Sequence, residues 1–167
     1  MIRSSRTALG SSGSVDYVRR GGAVGDSVDD FLKTVSLFQD LDKRHRTTIA
    51  KTVFERTFEP GEAIVREGET GVGAFMIRSG KVEVTKEAGD ETEHLNTLGP
   101  GDVFGEIALI TDMPRSATVR ATEHTEVLGL TGWNFRAELQ KSPDLAYQML
   151  RITARRLAEA DARLMAK

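Results

Sequence analysis

Glycine and proline punctuate the chain from Phe54 to Leu130, and this punctuation constrains the fold more than any other feature. Turn signals stand at Pro60-Gly61, Glu67-Gly68-Glu69, Ser79-Gly80, Ala88-Gly89-Asp90 and Pro100-Gly101-Asp102. Glycine supplies backbone conformations closed to other residues, and proline presets the first position of a turn. Between the signals lie short alternating or β-rich stretches: Ala63 to Val65, Ala74 to Ile77, Lys81 to Thr85, His94 to Leu98, Ala117 to Ala121 and Glu126 to Leu130. Short strands at such spacing predict a β-sandwich or barrel over about residues 54–131.

Helical signals flank this region. Ser27 followed by Asp30 reads as an N-cap with a capping box, ahead of apolar Phe31, Leu32, Val35, Leu37 and Phe38. A second helix is expected from about Asp42 to Val53. After the strands, Asn134 to Gln140 reads as a short helix. Ser142-Pro143-Asp144 then opens a longer one, with a capping serine, proline at the first helical position and an acid near the positive end of the dipole. Residues 1–27 are rich in Gly, Ser and Arg and predict a flexible tail, because they bury too little to offset the entropy of ordering. The expected domain is 28–167, with C-terminal helices at about 134–166.

Composition narrows the function. Without cysteine there are no disulfides, thiol catalysts or iron–sulfur clusters, which suits a reducing, cytoplasmic setting. A net charge of -2 gives no pull toward nucleic acid, and no apolar run reaches the roughly 18 residues of a membrane span. A metal-dependent β-roll enzyme needs several histidines and carboxylates on facing strands. His45, His94 and His124 are widely spaced, so no catalytic and no metal residues are assigned.

One segment, Gly101 to Val119, breaks the strand pattern. Glu106 to Ile110 reads as a short helix after Gly105, closed by Thr111 to Pro114, with strand character resuming at Ser116. A helix N-terminus offers unpaired N–H groups to an anion, and the Arg115 guanidinium could grip phosphate oxygens beside it. Glu106 would be repelled by that phosphate but suits a ribose hydroxyl. Spacing alone leaves the alternative open that Glu106 and Arg115 are simply an ion pair.

Phe104-Gly-Glu-Ile-Ala-Leu109 with Pro114-Arg-Ser-Ala117 and Thr118-Val119 resembles the phosphate-binding cassette of the cyclic-nucleotide-binding family. That family includes regulatory subunits of cAMP-dependent protein kinase and bacterial catabolite activator proteins. Pro60-Gly-Glu-Ala-Ile64, Glu67-Gly68, Phe75-Met-Ile-Arg-Ser-Gly80 and Leu98-Gly-Pro-Gly-Asp102 extend the resemblance over roughly residues 30–165. It implies a mainly β fold with flanking helices: a double-stranded β-helix, or jelly-roll-like β-roll, closed by a C-terminal lid or dimerisation helix. It implies a sensor and not an enzyme, with no cofactor. Its ligand is cAMP, with a cGMP-selective sensor or a ligand-free interaction module as alternatives.

Carried over, the resemblance assigns Glu106 to the ribose 2′-hydroxyl and Arg115 to the exocyclic phosphate oxygens. Backbone N–H groups near Ile107, Ala108 and Ala117 would add phosphate contacts. Phe104 opens the segment, Gly105 would lie along the ribose, and Ser116 would meet the phosphate or base. Serine at this place leans toward cAMP. On the last helix Ala146, Leu150, Thr153, Leu157, Ala160 and Leu164 form a heptad seam, consistent with packing on the roll or with a homodimer. Aligned with the bacterial activators, Ala160 and Asp161 stand where family lids carry purine-contacting hydroxyls, a departure from the pattern. It leaves Asp161 either to accept from an adenine amino group or to stand as a solvated carboxylate. The 167 residues leave no length for a helix-turn-helix after the last helix, so output is expected to pass through an unidentified effector protein, a dimer change or a further part of a longer protein.

Overall fold

The computed structural model describes residues 24–166. Helices α1 (Val24–Leu32) and α2 (Lys43–Ala50) lead into strands β1 (Phe54–Phe58), β2 (Ala63–Val65), β3 (Gly73–Ser79), β4 (Val82–Ala88), β5 (Glu91–Leu98), β6 (Val103–Phe104), β7 (Thr118–Ala121) and β8 (Thr125–Thr131). A 3-10 turn, Glu106–Leu109, stands between β6 and β7, and α3 (Gly132–Lys141) and α4 (Pro143–Met165) close the chain. The strands form two four-stranded antiparallel sheets, ordered β1-β8-β3-β6 and β2-β7-β4-β5, which make a β-roll.

Strand alternation explains why two of these strands matter most. Side chains along a strand point alternately to opposite faces. On β3, Phe75 and Ile77 enter the interior of the roll, while Ala74 and Met76 face the helices. On β8, Val127 enters the roll, and Leu128 and Leu130 face the helices. The sheet β1-β8-β3-β6 therefore divides two cores. One is internal to the roll; the other joins Leu32, Phe38, Ile49, Phe135, Leu145 and Met149 of the helical segments to the sheet's outer face.

Several elements depart from the sequence expectation. β1 and β6 were not distinguished as strands. β1 carries Glu55, Arg56 and Thr57 between its two phenylalanines, and β6 is two residues long, so neither shows a readable alternation. α1 begins at Val24, so Ser27 lies inside the helix and not at its cap. The expected tail over 1–27 otherwise lies outside the described residues. Val35, Leu37 and Phe38 follow α1 on tight turns, Thr34 N to Phe31 O at 2.9 Å and Phe38 N to Val35 O at 2.9 Å, and all three side chains are buried. Their apolar spacing signalled burial, not helix.

The Ser142 cap signal holds, and α2 has a cap that the sequence reading did not single out. Asp42 accepts the His45 N–H at 2.9 Å at the start of α2, and Ser142 accepts the Leu145 N–H at 3.3 Å at the start of α4. α4 packs only through Leu145, Met149 and Ile152. Leu150, Leu157 and Leu164 of the heptad seam are 65%, 63% and 69% exposed, so the seam is not the face that packs on the protein's own core. Polar ties hold α4 to the N-terminal segments, among them Gln148 to Asp42 at 3.0 Å, His45 to Asp144 at 3.1 Å, Arg44 to Asp144 at 3.6 Å, and Arg155 to Asp40. Gln148, and then the His45 N–H, hold the Asp42 carboxyl below its usual pKa. Among the described residues no helix is long and apolar enough to cross a membrane.

Met76 is fully buried where the sheet meets the helices. Met76→Ala is expected to cost about 2–5 kcal/mol of unfolding free energy in chemical denaturation, because the sheet backbone cannot collapse into the cavity it leaves.

Candidate functional site

The segment from Val103 to Thr118 is held at both ends by backbone pairing. β6 pairs with β3, Phe104 opposite Phe75, and their rings stack with centroids 5.6 Å apart. At the far end, Arg115 and residues beside it are laced to the Arg66–Thr70 loop. Arg115 N donates to Glu69 O at 2.8 Å, Gly68 N to Arg115 O at 2.9 Å, and Glu67 N to Thr118 Oγ1 at 3.0 Å. The Glu-Gly-Glu turn read as a simple reversal thus fixes the strand that carries Arg115.

Between these anchors the expected short helix is a single 3-10 turn, Glu106–Leu109, which ends one residue before the expected Ile110. Gly105 introduces it in the left-handed region, at φ 75°. Ala108 N closes the turn onto Gly105 O at 3.1 Å, and Thr111 N bonds Ile107 O at 2.9 Å. The Ala108 N–H is therefore engaged within the turn. Among the described residues the N–H groups of Ile107 and Ala117 donate to no protein acceptor.

Arg115 is half-buried. Its Nη2 donates to Gly73 O at 2.7 Å and its Nη1 to Gly105 O at 3.2 Å. Among the described residues no carboxylate forms an ion pair with it, so the ion-pair alternative for Glu106 and Arg115 is not what the geometry shows. Burial pushes the Arg115 pKa down, and the Glu106 and then the Glu69 carboxylate act against that shift. A guanidinium remains cationic under such conditions. Two of its five donors are spent on carbonyls, which fix its plane and leave charge and donors for a ligand.

Gly71 and Gly105 make room for this arrangement. A Cβ built on Gly71 would fall 3.1 Å from the Arg115 guanidinium carbon and 2.7 Å from Ala108 Cβ. A Cβ on Gly105 would collide with Arg115 Nη1 itself.

These residues enclose a cavity of about 290 Å³. That is close to the lower end of the roughly 300–1,000 Å³ of small-molecule sites. Phe104, Gly105, Glu106, Ile107, Ala108, Arg115, Ser116 and Ala117 all line it. Asp161 does not; it is exposed on α4, beyond the part of that helix that packs. The sequence reading missed the apolar wall. Val65, Val119, Val84 and Asn96 form one row across β2, β7, β4 and β5 by register, and all four line the cavity with Leu98 and Val103. The signal was present in the alternation of Val82 and Val84 on β4, but alternation alone does not say which face is concave.

The three histidines lie in separate places: His45 in the tie between α2 and α4, His94 against Thr97 on β5, and His124 against Glu59.

A family model described as cyclic nucleotide-binding domain matches residues 55–142. Over 102 residues the chain is 41% identical to a cAMP-dependent protein kinase regulatory subunit of Yarrowia lipolytica, covering 61% of this chain and 27% of that protein. It is 36% identical over 135 residues to the cyclic AMP receptor protein of Thermus thermophilus, covering 80% of this chain and 62% of that protein. The chain thus spans about a quarter of the length of the first and under two thirds of the second. Among solved structures, the N-terminal domain of a transcriptional regulator from Streptomyces coelicolor A3(2) superposes with a TM-score of 0.73 at 28% identity, covering 81% of this chain and 95% of that one.

Gly105→Ala is expected to lower the stability of the ligand-free protein by about 1–3 kcal/mol, since it adds left-handed strain and displaces the Arg115 guanidinium. Gly99→Ala, with open space around the added methyl group, should be neutral within about 1 kcal/mol. Parallel denaturation of the two variants separates a requirement of the site from the general effect of losing a glycine.

Proposed function

The chain belongs to the cyclic nucleotide-binding domain family, and we propose that it is a regulatory domain whose cavity takes cAMP and whose α4 carries the response. The observation that carries this reading is the Arg115 guanidinium, pinned by two carbonyls beside the unengaged N–H groups of Ile107 and Ala117. A cation and fixed backbone donors on one side of a small cavity favour a phosphate. Glu106, also on the wall, asks for a neutral donor, and a ribose 2′-hydroxyl supplies one. Val65, Val119 and Val84, with Leu98 and Val103, leave a largely apolar wall for a purine.

In the proposed complex Arg115 grips the exocyclic phosphate oxygens and Ile107 and Ala117 donate to them, whereas the Ala108 N–H stays on Gly105 O. Gly105 runs along the ribose, and Phe104 backs it. Ser116 lines the cavity without bulk, which supports adenine; a cGMP preference is the competing reading, because a serine hydroxyl can also meet the guanine amino group. The names of the relatives support cAMP as well.

The response is proposed to run through Leu109. Its side chain, 2% exposed, lies in the helical core with Phe135, Leu145 and Met149, while Ala108 beside it lines the cavity. A ligand that draws Glu106 and Ile107 inward would shift Leu109, and with it the packing of α4. Asp161 would reach a purine only if α4 moved over the cavity. The exposed seam at Leu150, Leu157 and Leu164 supports pairing with a second copy, and the effector is proposed to be another protein that reads α4.

Titration calorimetry with cAMP and cGMP tests this reading. Tight binding of cAMP by the protein, weakened roughly a hundredfold in Arg115→Ala, is the expected result. Stronger binding of cGMP would reassign the purine, and binding of neither nucleotide at millimolar concentration would end the sensor reading while leaving the fold intact.

A further inference from the structure

The 3-10 turn that carries Glu106 is gripped from outside the cavity by the first turns of α3. Arg136 Nη1 donates to Leu109 O at 3.3 Å. Gly132 N donates to Val72 O at 2.9 Å, and a Cβ on Gly132 would fall 2.7 Å from Ala108 O. Only a residue without a side chain lets α3 start this close to the turn. Behind these contacts, Phe135 and Leu109 are both buried in the helical core, at 1% and 2% exposure.

The carbonyls of Ala108 and Leu109 thus both face α3, one against Gly132 and the other against Arg136. Carbonyls at the end of a helical turn carry partial negative charge, and a cation placed there stabilises the turn. Arg136 is half-buried and does not line the cavity, so it has no direct contact with anything bound there. Leu109 O is its hydrogen-bond acceptor, and among the described residues no carboxylate pairs with it.

We infer that Arg136 is a positioning residue for the ligand site. It fixes the turn Glu106–Leu109 in the orientation that presents the Glu106 carboxylate and the Ile107 N–H to the cavity. This inference rests on the nucleotide reading given above. Because Arg136 acts on the ribose and phosphate end through the turn, its effect is independent of the base. Its requirement is a cation with a donor at Leu109 O, which lysine also provides and alanine does not.

The test is calorimetric titration of the wild type, Arg136→Ala and Arg136→Lys with cAMP and with cGMP, each protein first checked by thermal melting. Arg136→Ala should weaken both nucleotides by the same factor, roughly threefold to tenfold, the loss of one hydrogen bond's worth of preorganisation. Arg136→Lys should recover most of that loss. Unchanged affinity in Arg136→Ala would overturn the inference, as would a loss that lysine does not restore or one that falls on a single purine. If Arg136→Ala fails to fold, Arg136→Gln against Arg136→Lys decides: the charge-free variant should bind more weakly, and equal affinity would overturn the proposal. A wild type that binds neither nucleotide removes the ligand reading itself, whereas normal wild-type binding with an indifferent alanine variant removes the role of Arg136 alone.

Discussion

Strands β3 and β8 are buried on both faces, and the remaining structure is arranged around that constraint. An antiparallel sheet can leave one face to water. Here the centre of the sheet serves two cores at once, with Ile77 and Val127 on one side and Met76 and Leu128 on the other, all at 0–1% exposure. The ladder between the strands fixes the register of both cores together. A one-residue slip would exchange the two sets of side chains. The helical segments on the outer face are consequently part of the same unit as the roll.

That arrangement gives the segment after β6 its character. Phe54, Gly129, Phe75 and Phe104 face one another across β1, β8, β3 and β6. Glycine at the second position leaves space that the Phe54 ring fills, and Phe54 meets Phe75 edge-on at 6.4 Å. The row delivers the chain to Gly105 from a rigid platform. From there the 3-10 turn puts adjacent residues into different surroundings, Ala108 at the cavity and Leu109 in the helical core. A four-residue turn has little internal cooperativity of its own. Its shape is set by what touches it: β3 and Arg115 on one side, Gly132 and Arg136 on the other.

Turn glycines, the Ser142 cap and the cassette were legible in the sequence because each rests on local chemistry. Gly61, Gly80, Gly101 and Gly105 all adopt positive φ, and Ser142 accepts the N–H group a cap must satisfy. What was not legible depends on the third dimension. Strand β1 reads as Phe-Glu-Arg-Thr-Phe, without alternation, and owes its place to pairing with β8. The row of Val65, Val119, Val84 and Asn96 comes from four strands, of which only β4 and β5 are neighbours in sequence. Ser27 looked like a cap because a serine and an acid stood at the right interval, yet helix α1 had already begun at Val24. For the nine site residues first named, the sequence placed eight on one cavity wall because they are close along the chain. Asp161 was placed by analogy along a helix, and it is exposed and does not line the cavity.

The presence of Arg115 and Glu106 around one cavity, without an ion pair between them, has a consequence for selectivity under the proposed reading. Burial weakens the hold of Arg115 on its proton, and Glu106 acts against that loss. A bare phosphate would take the cation but leave the carboxylate repelled and without a donor. A neutral sugar would satisfy the carboxylate and leave the guanidinium half-desolvated beside two carbonyls. Only a ligand that carries an anion and a hydroxyl donor at a fixed separation satisfies both groups. Buried polar groups left unpaired cost more than their pairing returns, so a site of this kind discriminates chiefly against ligands that lack one of the two. The apolar wall then adds affinity for a base without having to supply that discrimination.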